Sequence, residues 1–199
     1  MKEKPYEPLK EADLKHTTLK AVFLLAMASG ARRSELQALM FEEAYCQIES
    51  DGSKMTLLFS PGFLRKNRSP LEAETPLEIP ALPTGSTEFG APLCPVRAIR
   101  YYRRKTTDPQ LRRGRKRLFI PFKDNNNQKE ISAASISRWI TSVIAKAHSD
   151  QGEDVELRKS LGIRAHDVRA VAASLLKLDG ASVTEVMRAG RWASGGDIH

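Results

Sequence analysis

The sequence predicts a mainly α-helical domain with one small antiparallel β-sheet, which is an α+β fold. Two observations support this prediction. Apolar residues recur at helical spacing near both ends of the chain, and two short strand-like segments flank a turn between residues 45 and 59. A chain of 199 residues with 41% hydrophobic and 28% charged residues has the size and composition of a single globular domain.

The first elements are a linker and two helices. Residues 1–10 contain two prolines and no apolar periodicity, which predicts a linker or the edge of the domain rather than a packed element. Residues 13–29 are expected to form a helix that ends at Gly30, because one face carries apolar residues at positions i, i+3, i+4 and i+7: Leu19, Val22, Phe23 and Ala26. A short second helix is expected over residues 34–40.

The sheet is expected between residues 45 and 80. Residues 45–48 and 55–59 are strand-like and are separated by Asp51-Gly-Ser, which is a hairpin-turn signal. Residues 76–80 begin and end with proline, so a strand there is expected at an edge of the sheet.

The rest of the chain is expected to be helical. Pro95 is well placed as the first residue of a helix that continues to residue 105. Residues 117–122 are either a strand or an extended loop. Helices are expected over residues 132–148, 165–178 and 183–189, and the last begins with the capping-box residues Ser182 and Glu185.

Charge and cysteine content narrow the classes of function. The chain has 32 Lys and Arg against 24 Asp and Glu, a net charge of +8, which favours a polyanionic partner. Residues 21–28 form the longest apolar segment, which is too short to span a membrane and too far along the chain for a signal peptide. Cys46 and Cys94 have no neighbouring Cys or His at the spacing of a metal site, so both are expected to be reduced thiols of an intracellular protein. The expected location is the nucleus in a eukaryote and the cytoplasm in a prokaryote.

A basic stretch extends from Arg97 to Arg117. It contains ten Lys and Arg residues against a single acid, Asp108, with two interleaved tyrosines. This density suits contacts with a phosphate backbone, although a solvated helix face followed by a basic loop has the same composition. The expected DNA-binding residues of the chain are Arg33, Arg65, Arg103, Arg104, Arg112, Arg113, Arg115 and Lys116.

Three short segments carry side chains suited to a phosphodiester. They are Ser-Gly-Ala-Arg-Arg-Ser-Glu-Leu at 29–36, His-Asp-Val-Arg at 166–169 and Gly-Arg-Trp at 190–192. Arginine offers a permanently charged, bidentate fork, and histidine and tryptophan can donate hydrogen bonds to the same phosphate. Each segment alone is weak, because any of these residues could be structural.

Together and in this order, the segments resemble the active site of tyrosine recombinases, the phage-integrase family. Residues 29–36 are similar to that family's Thr-Gly-x-Arg-x-Ser-Glu-Leu motif. Residues 94–102 and 136–140 also resemble recombinase-like sequences of eukaryotic mobile elements. The resemblance covers residues 11–199 and implies the integrase catalytic-domain fold for that region.

The resemblance also implies catalytic roles. Arg32 and Arg169 would clamp the scissile phosphate, and Glu35 would buttress Arg32. His166 would assist proton transfer at the nucleophile, and Trp192 would donate a hydrogen bond to the phosphate.

The general acid implied by the resemblance is a lysine near the second strand. Lys66 is the first choice because it follows that strand, and Lys54 in the preceding turn is the alternative. No metal or other cofactor is implied, since a covalent 3′-phosphotyrosyl bond would conserve the energy of the phosphodiester.

In the family the nucleophilic tyrosine follows the residue that corresponds to Trp192, and the matching position would lie beyond His199. Family members also have an additional N-terminal helical domain that closes around double-stranded DNA. We therefore expect a truncated catalytic domain that holds a phosphate without cutting it. The expected partner is double-stranded DNA and not a membrane, with a homotetramer on DNA for the full-length recombinase and a monomer for this piece. The alternatives are a non-catalytic DNA-binding module derived from a recombinase and a type IB topoisomerase-like enzyme.

Overall fold

A computed structural model describes residues 1–64, 75–82, 90–123, 128–150, 164–165 and 167–178, together with residues 180, 182 and 184. Within these residues, seven helices and one three-stranded antiparallel sheet form a mixed α+β fold. This confirms the predicted fold class of a mainly helical domain with a small sheet.

Helix α1 (Leu14–Ser29) begins and ends where the sequence predicts. The Asp13 side chain accepts a hydrogen bond from the His16 N–H at 2.7 Å, which caps the first turn. Gly30 follows the last turn in the left-handed region with φ of 56°, and its N–H donates to the Ala26 carbonyl. The chain therefore turns sharply after α1 and enters helix α2 (Arg33–Ala38) within three residues.

The sheet contains β1 (Cys46–Ile48), β2 (Lys54–Leu57) and β3 (Leu77–Pro80) in the order β1-β2-β3. Both pairings are antiparallel, and Thr56 of β2 pairs with Gln47 and with Glu78. Along β2 and β3 buried residues alternate with more exposed ones, so one face of the sheet packs on the core. The third strand lies at an edge, as predicted.

The remaining elements are α3 (Gly90–Leu93), α4 (Pro95–Lys105), α5 (Pro109–Arg112), α6 (Ala133–Asp150) and α7 (Asp167–Leu178). The single-turn helices α3 and α5 were not predicted. Residues 117–122 contribute one isolated bridge, between Met40 and Arg117. The predicted helix over residues 183–189 lies almost wholly outside the described residues.

The core is built around α1. This helix packs against α4, α6 and α7, and α6 also packs against α2. Val22 and Leu25 of α1 are fully buried in one cluster with Leu36 of α2, Ile99 of α4 and Ile136 of α6. As a result the start of α2, helix α6 and the start of α7 are neighbours.

The prediction of a linker over residues 1–10 is wrong. Leu9 is fully buried and Tyr6 nearly so. The Glu7 carboxylate contacts Lys20 Nζ of α1 at 2.5 Å and Arg97 of α4 at 2.6 and 3.1 Å. The Glu7 carboxylate attaches the segment to two helices by ion pairs with one cation on each. Apolar periodicity does not reveal an attachment of this kind.

No helix in the described part of the chain combines the length and the apolar character that crossing a membrane requires.

Candidate functional site

A cleft of about 570 Å³ opens between the start of α2, helix α6 and the start of α7. Four arginines line it, and none of the described residues that line it is acidic. Three hydroxyl side chains and three apolar residues complete the lining. The polar residues are Arg32, Arg33, Ser34, Ser137, Thr141, Arg164 and Arg169.

Arg32 occupies the position immediately before α2. Its N–H donates to Glu35 Oε2 at 2.7 Å, and its Nη1 lies 3.8 Å from Glu35 Oε1. The Glu35 carboxylate is 3% exposed, whereas the Arg32 side chain keeps 23% of its surface open to solvent. Glu35 therefore binds the backbone N–H of Arg32 and lies at ion-pair distance from its guanidinium group.

Arg169 lies in the first turn of α7 and lines the same cleft. Arg169 is only 5% exposed, so its guanidinium group is largely shielded from water. The fold thus brings together two arginines from opposite ends of the sequence. A phosphate between them would be bound more strongly than on an open surface, because the surroundings screen charge less than water does.

Two further arginines lie at the exposed rim of the cleft. Arg33 is the first residue of α2, and Arg164 precedes α7. Arg33 was predicted from the sequence, whereas Arg164 was not. One signal could have identified it: Arg164 stands three residues before Asp167 at a predicted helix start, just as Arg32 stands three residues before Glu35.

Helix α6 supplies hydroxyl groups to the lining of the cleft. Ser137 and Thr141 lie one turn apart, and Thr141 Oγ1 donates to the Ser137 carbonyl at 3.0 Å. Guanidinium forks with neighbouring hydroxyls suit an anion that presents several oxygens, such as a phosphodiester.

The basic stretch is largely an internal scaffold. Arg112 and Arg115 are 6% and 7% exposed. The Arg112 guanidinium donates to the carbonyls of Thr106, Arg115 and Arg117, and it lies 3.6 Å from the centre of the Phe41 ring.

Arg115 and Arg103 also donate to backbone carbonyls. Arg115 Nε binds the Lys129 carbonyl at 3.1 Å. Arg103 Nη1 binds the Cys46 carbonyl at 3.0 Å, and its Nη2 binds that of Phe41 at 3.3 Å. The expectation that Arg112 and Arg115 contact DNA is therefore corrected: their guanidinium groups are buried against the protein's own carbonyls.

Arg104 and Lys116 are exposed and Arg113 is half-buried, so these three keep side-chain surface for a partner. The guanidinium carbons of Arg104 and Arg97 lie 5.9 and 5.5 Å from the centre of the Tyr101 ring. None of the three lines the cleft. The basic stretch and the cleft are separate features of the fold.

Four of the sequence-predicted site residues, Arg65, Lys66, His166 and Trp192, lie outside the described residues. The alternative general acid, Lys54, is the first residue of β2, and its Nζ lies 3.3 Å from Glu78 Oε1. Lys54 does not line the cleft.

The chain has four tyrosines, and none of them lines the cleft. Tyr6 is buried near the N-terminus, and Tyr45 and Tyr101 are half-buried elsewhere. Tyr102 is fully buried, and its hydroxyl accepts a hydrogen bond from the Ile120 N–H at 2.9 Å. Burial raises the pKa of Tyr102 far above its ordinary value, so it stays a neutral structural group.

No protein-family model and no curated protein matches this chain in sequence. The functional interpretation therefore depends on the residues that the fold assembles in the cleft.

Proposed function

We propose that this chain is the phosphate-binding catalytic domain of a tyrosine recombinase, with the integrase catalytic-domain fold, and that the cleft holds a phosphate of double-stranded DNA. One observation carries the proposal. Arg32 and Arg169, which stand in two separate motifs that resemble the family, line one cleft.

The chemistry of the cleft suits a phosphodiester. Arginine binds phosphate oxygens in pairs and stays charged at any physiological pH. In the proposed reaction the same contacts stabilise the charge that develops on the non-bridging oxygens as the phosphate is attacked. Glu35 serves as a positioning residue, because it fixes the backbone and side chain of Arg32.

The proposed activity is DNA breaking and rejoining through a 3′-phosphotyrosyl intermediate, without a cofactor, in an intracellular homotetramer on DNA. Because none of the four tyrosines of this sequence lines the cleft, we propose that this chain binds DNA and leaves it intact. We also propose that this chain by itself is a monomer.

Binding of a duplex oligonucleotide, followed by fluorescence anisotropy at several salt concentrations, tests the proposal. Arg32→Gln is expected to weaken binding at least tenfold, since hydrogen bonds to charged groups contribute about 1.5–3 kcal/mol. Lys15→Gln is the matched loss of one positive charge. Lys15 is exposed in the first turn of α1, about 20 Å along that helix from the cleft, so it should bind like the parent protein.

Equal affinities of R32Q and K15Q for DNA would overturn the proposed site. The recombinase chemistry has its own test, in a form of the protein that continues past His199 to a tyrosine. That form should give a covalent adduct with nicked DNA in the presence of a chelator, and R32Q should abolish the adduct. An adduct that depends on a metal ion would contradict the mechanism.

A further inference from the structure

We infer that Arg164 is a second positioned phosphate ligand of this cleft and that Asp167 is its positioning residue. The inference deepens the proposed function and rests on it, because Arg164 would bind the DNA phosphate next to the one held by Arg32 and Arg169. A local arrangement that occurs twice in the fold supports this role of Arg164.

The two arrangements share their hydrogen bonds. Before α2, the Arg32 N–H donates to the Glu35 carboxylate at 2.7 Å. Before α7, the Arg164 N–H donates to Asp167 Oδ2 at 2.6 Å. In each case an arginine precedes a helix, and an acidic side chain three residues later binds its backbone N–H.

The second arrangement is further fixed by a reciprocal bond. The Asp167 N–H donates to the Arg164 carbonyl at 3.0 Å, so the two residues hold each other at both backbone groups. A fixed backbone reduces the conformational entropy that the Arg164 side chain loses on binding a ligand. The geometry therefore presents Arg164 as a preorganised cation.

Arg32 and Arg164, the arginines of the two arrangements, line the same cleft as Arg169. The three side chains differ in exposure to solvent: Arg169 is buried, Arg32 is partly open and Arg164 is exposed at the rim. The volume of about 570 Å³ falls in the range of organic-ligand sites and exceeds what a lone small anion needs.

A DNA strand carries a second anionic group next to the first. Its phosphates are one nucleotide apart, with a rise of about 3.4 Å along the helix axis, so a strand with one phosphate in the deep part of the cleft would carry another close by. Arg164 is the residue that this second phosphate would meet, together with Arg33 on the α2 side.

The first test compares Arg164→Gln, Arg164→Lys and the charge-loss control Lys15→Gln by anisotropy with duplex DNA. R164Q should weaken binding about fivefold and reduce the slope of log affinity against log salt by about one. R164K should recover the slope and part of the affinity, since it keeps the charge but not the fork. K15Q should leave both quantities unchanged.

The second test assigns the role of Asp167. D167A should weaken DNA binding, and D167N should restore it, because the amide oxygen can still accept the Arg164 N–H. In the R164Q background, D167A should have no further effect on affinity. An equal loss in both backgrounds would show that Asp167 acts only through the stability of α7.

The outcomes separate this inference from the proposed function. If R32Q abolishes DNA binding while R164Q behaves like K15Q, the inference is wrong and the proposed site stands. If R32Q and R164Q both bind like the parent protein, the proposed function itself fails.

Discussion

Arginine has two different roles in this protein, and the partners of its guanidinium group separate them. Arg112 and Arg115 are buried and bind backbone carbonyls, whereas Arg32 and Arg164 line a cleft open to solvent. The sequence marks Arg32 by a motif, but it shows Arg112 and Arg115 only as members of a stretch with a high density of positive charge. Charge density therefore predicts the electrostatic character of the protein but not which arginines are available to a ligand.

Replacing Arg112 with methionine is expected to destabilise the fold by about 3 kcal/mol, because the substitution leaves the carbonyls of Thr106, Arg115 and Arg117 without their donor. Urea unfolding followed by circular dichroism measures the change in the free energy of unfolding. The matched variant is Arg104→Gln, on the exposed surface beside Tyr101, which should cost less than about 1 kcal/mol. Equal costs would refute a structural role for Arg112.

Helix boundaries follow from local chemistry, and for this reason the sequence predicts them well. Asp13 and Gly30 mark both ends of α1, and Pro95 marks the start of α4. The helices α3 and α5 were missed because a single turn contains too few residues to show periodicity. The packing of residues 1–10 was missed for a different reason, since it depends on a carboxylate that meets cations distant in sequence.

That carboxylate gives the N-terminal segment a pH-dependent attachment to α1 and α4. Burial alone would raise the pKa of Glu7, but hydrogen bonds from Arg97 and Lys20 outweigh it and lower the pKa to about 2. The folded state therefore binds the Glu7 proton less well than the unfolded chain does. The stabilisation is complete above the ordinary pKa of 4.5 and is lost as the pH falls towards 2.

The variant Glu7→Gln is expected to lose about 3 kcal/mol of stability near neutral pH, because the fully buried Lys20 ammonium loses its counterion. The difference in unfolding free energy between the parent protein and E7Q should shrink as the pH falls from 4.5 towards 2. Denaturant titrations across that range measure it. A difference that stays constant with pH would show that Glu7 does not form the ion pairs when the protein is in solution.

At the scale of the whole molecule, the cleft exists because α1 packs against α6 and α7 while α2 packs against α6. The sequence could identify Arg32, Glu35 and Arg169 from motifs, since each motif is local. It could not show that Ser137 and Thr141 join them, because the proximity of these α6 residues to the arginines arises only from helix packing.

A double-mutant cycle on DNA affinity tests most directly whether Arg32 and Arg169 hold one phosphate. The proteins are the parent, R32Q, R169Q and the double variant, each first shown to be folded by its thermal transition. Residues that share one ligand should have losses that depart from additivity by at least about 0.5 kcal/mol, whereas the pair Arg32 and Lys15 should be additive. Additive losses for Arg32 and Arg169 would contradict a shared phosphate in the cleft.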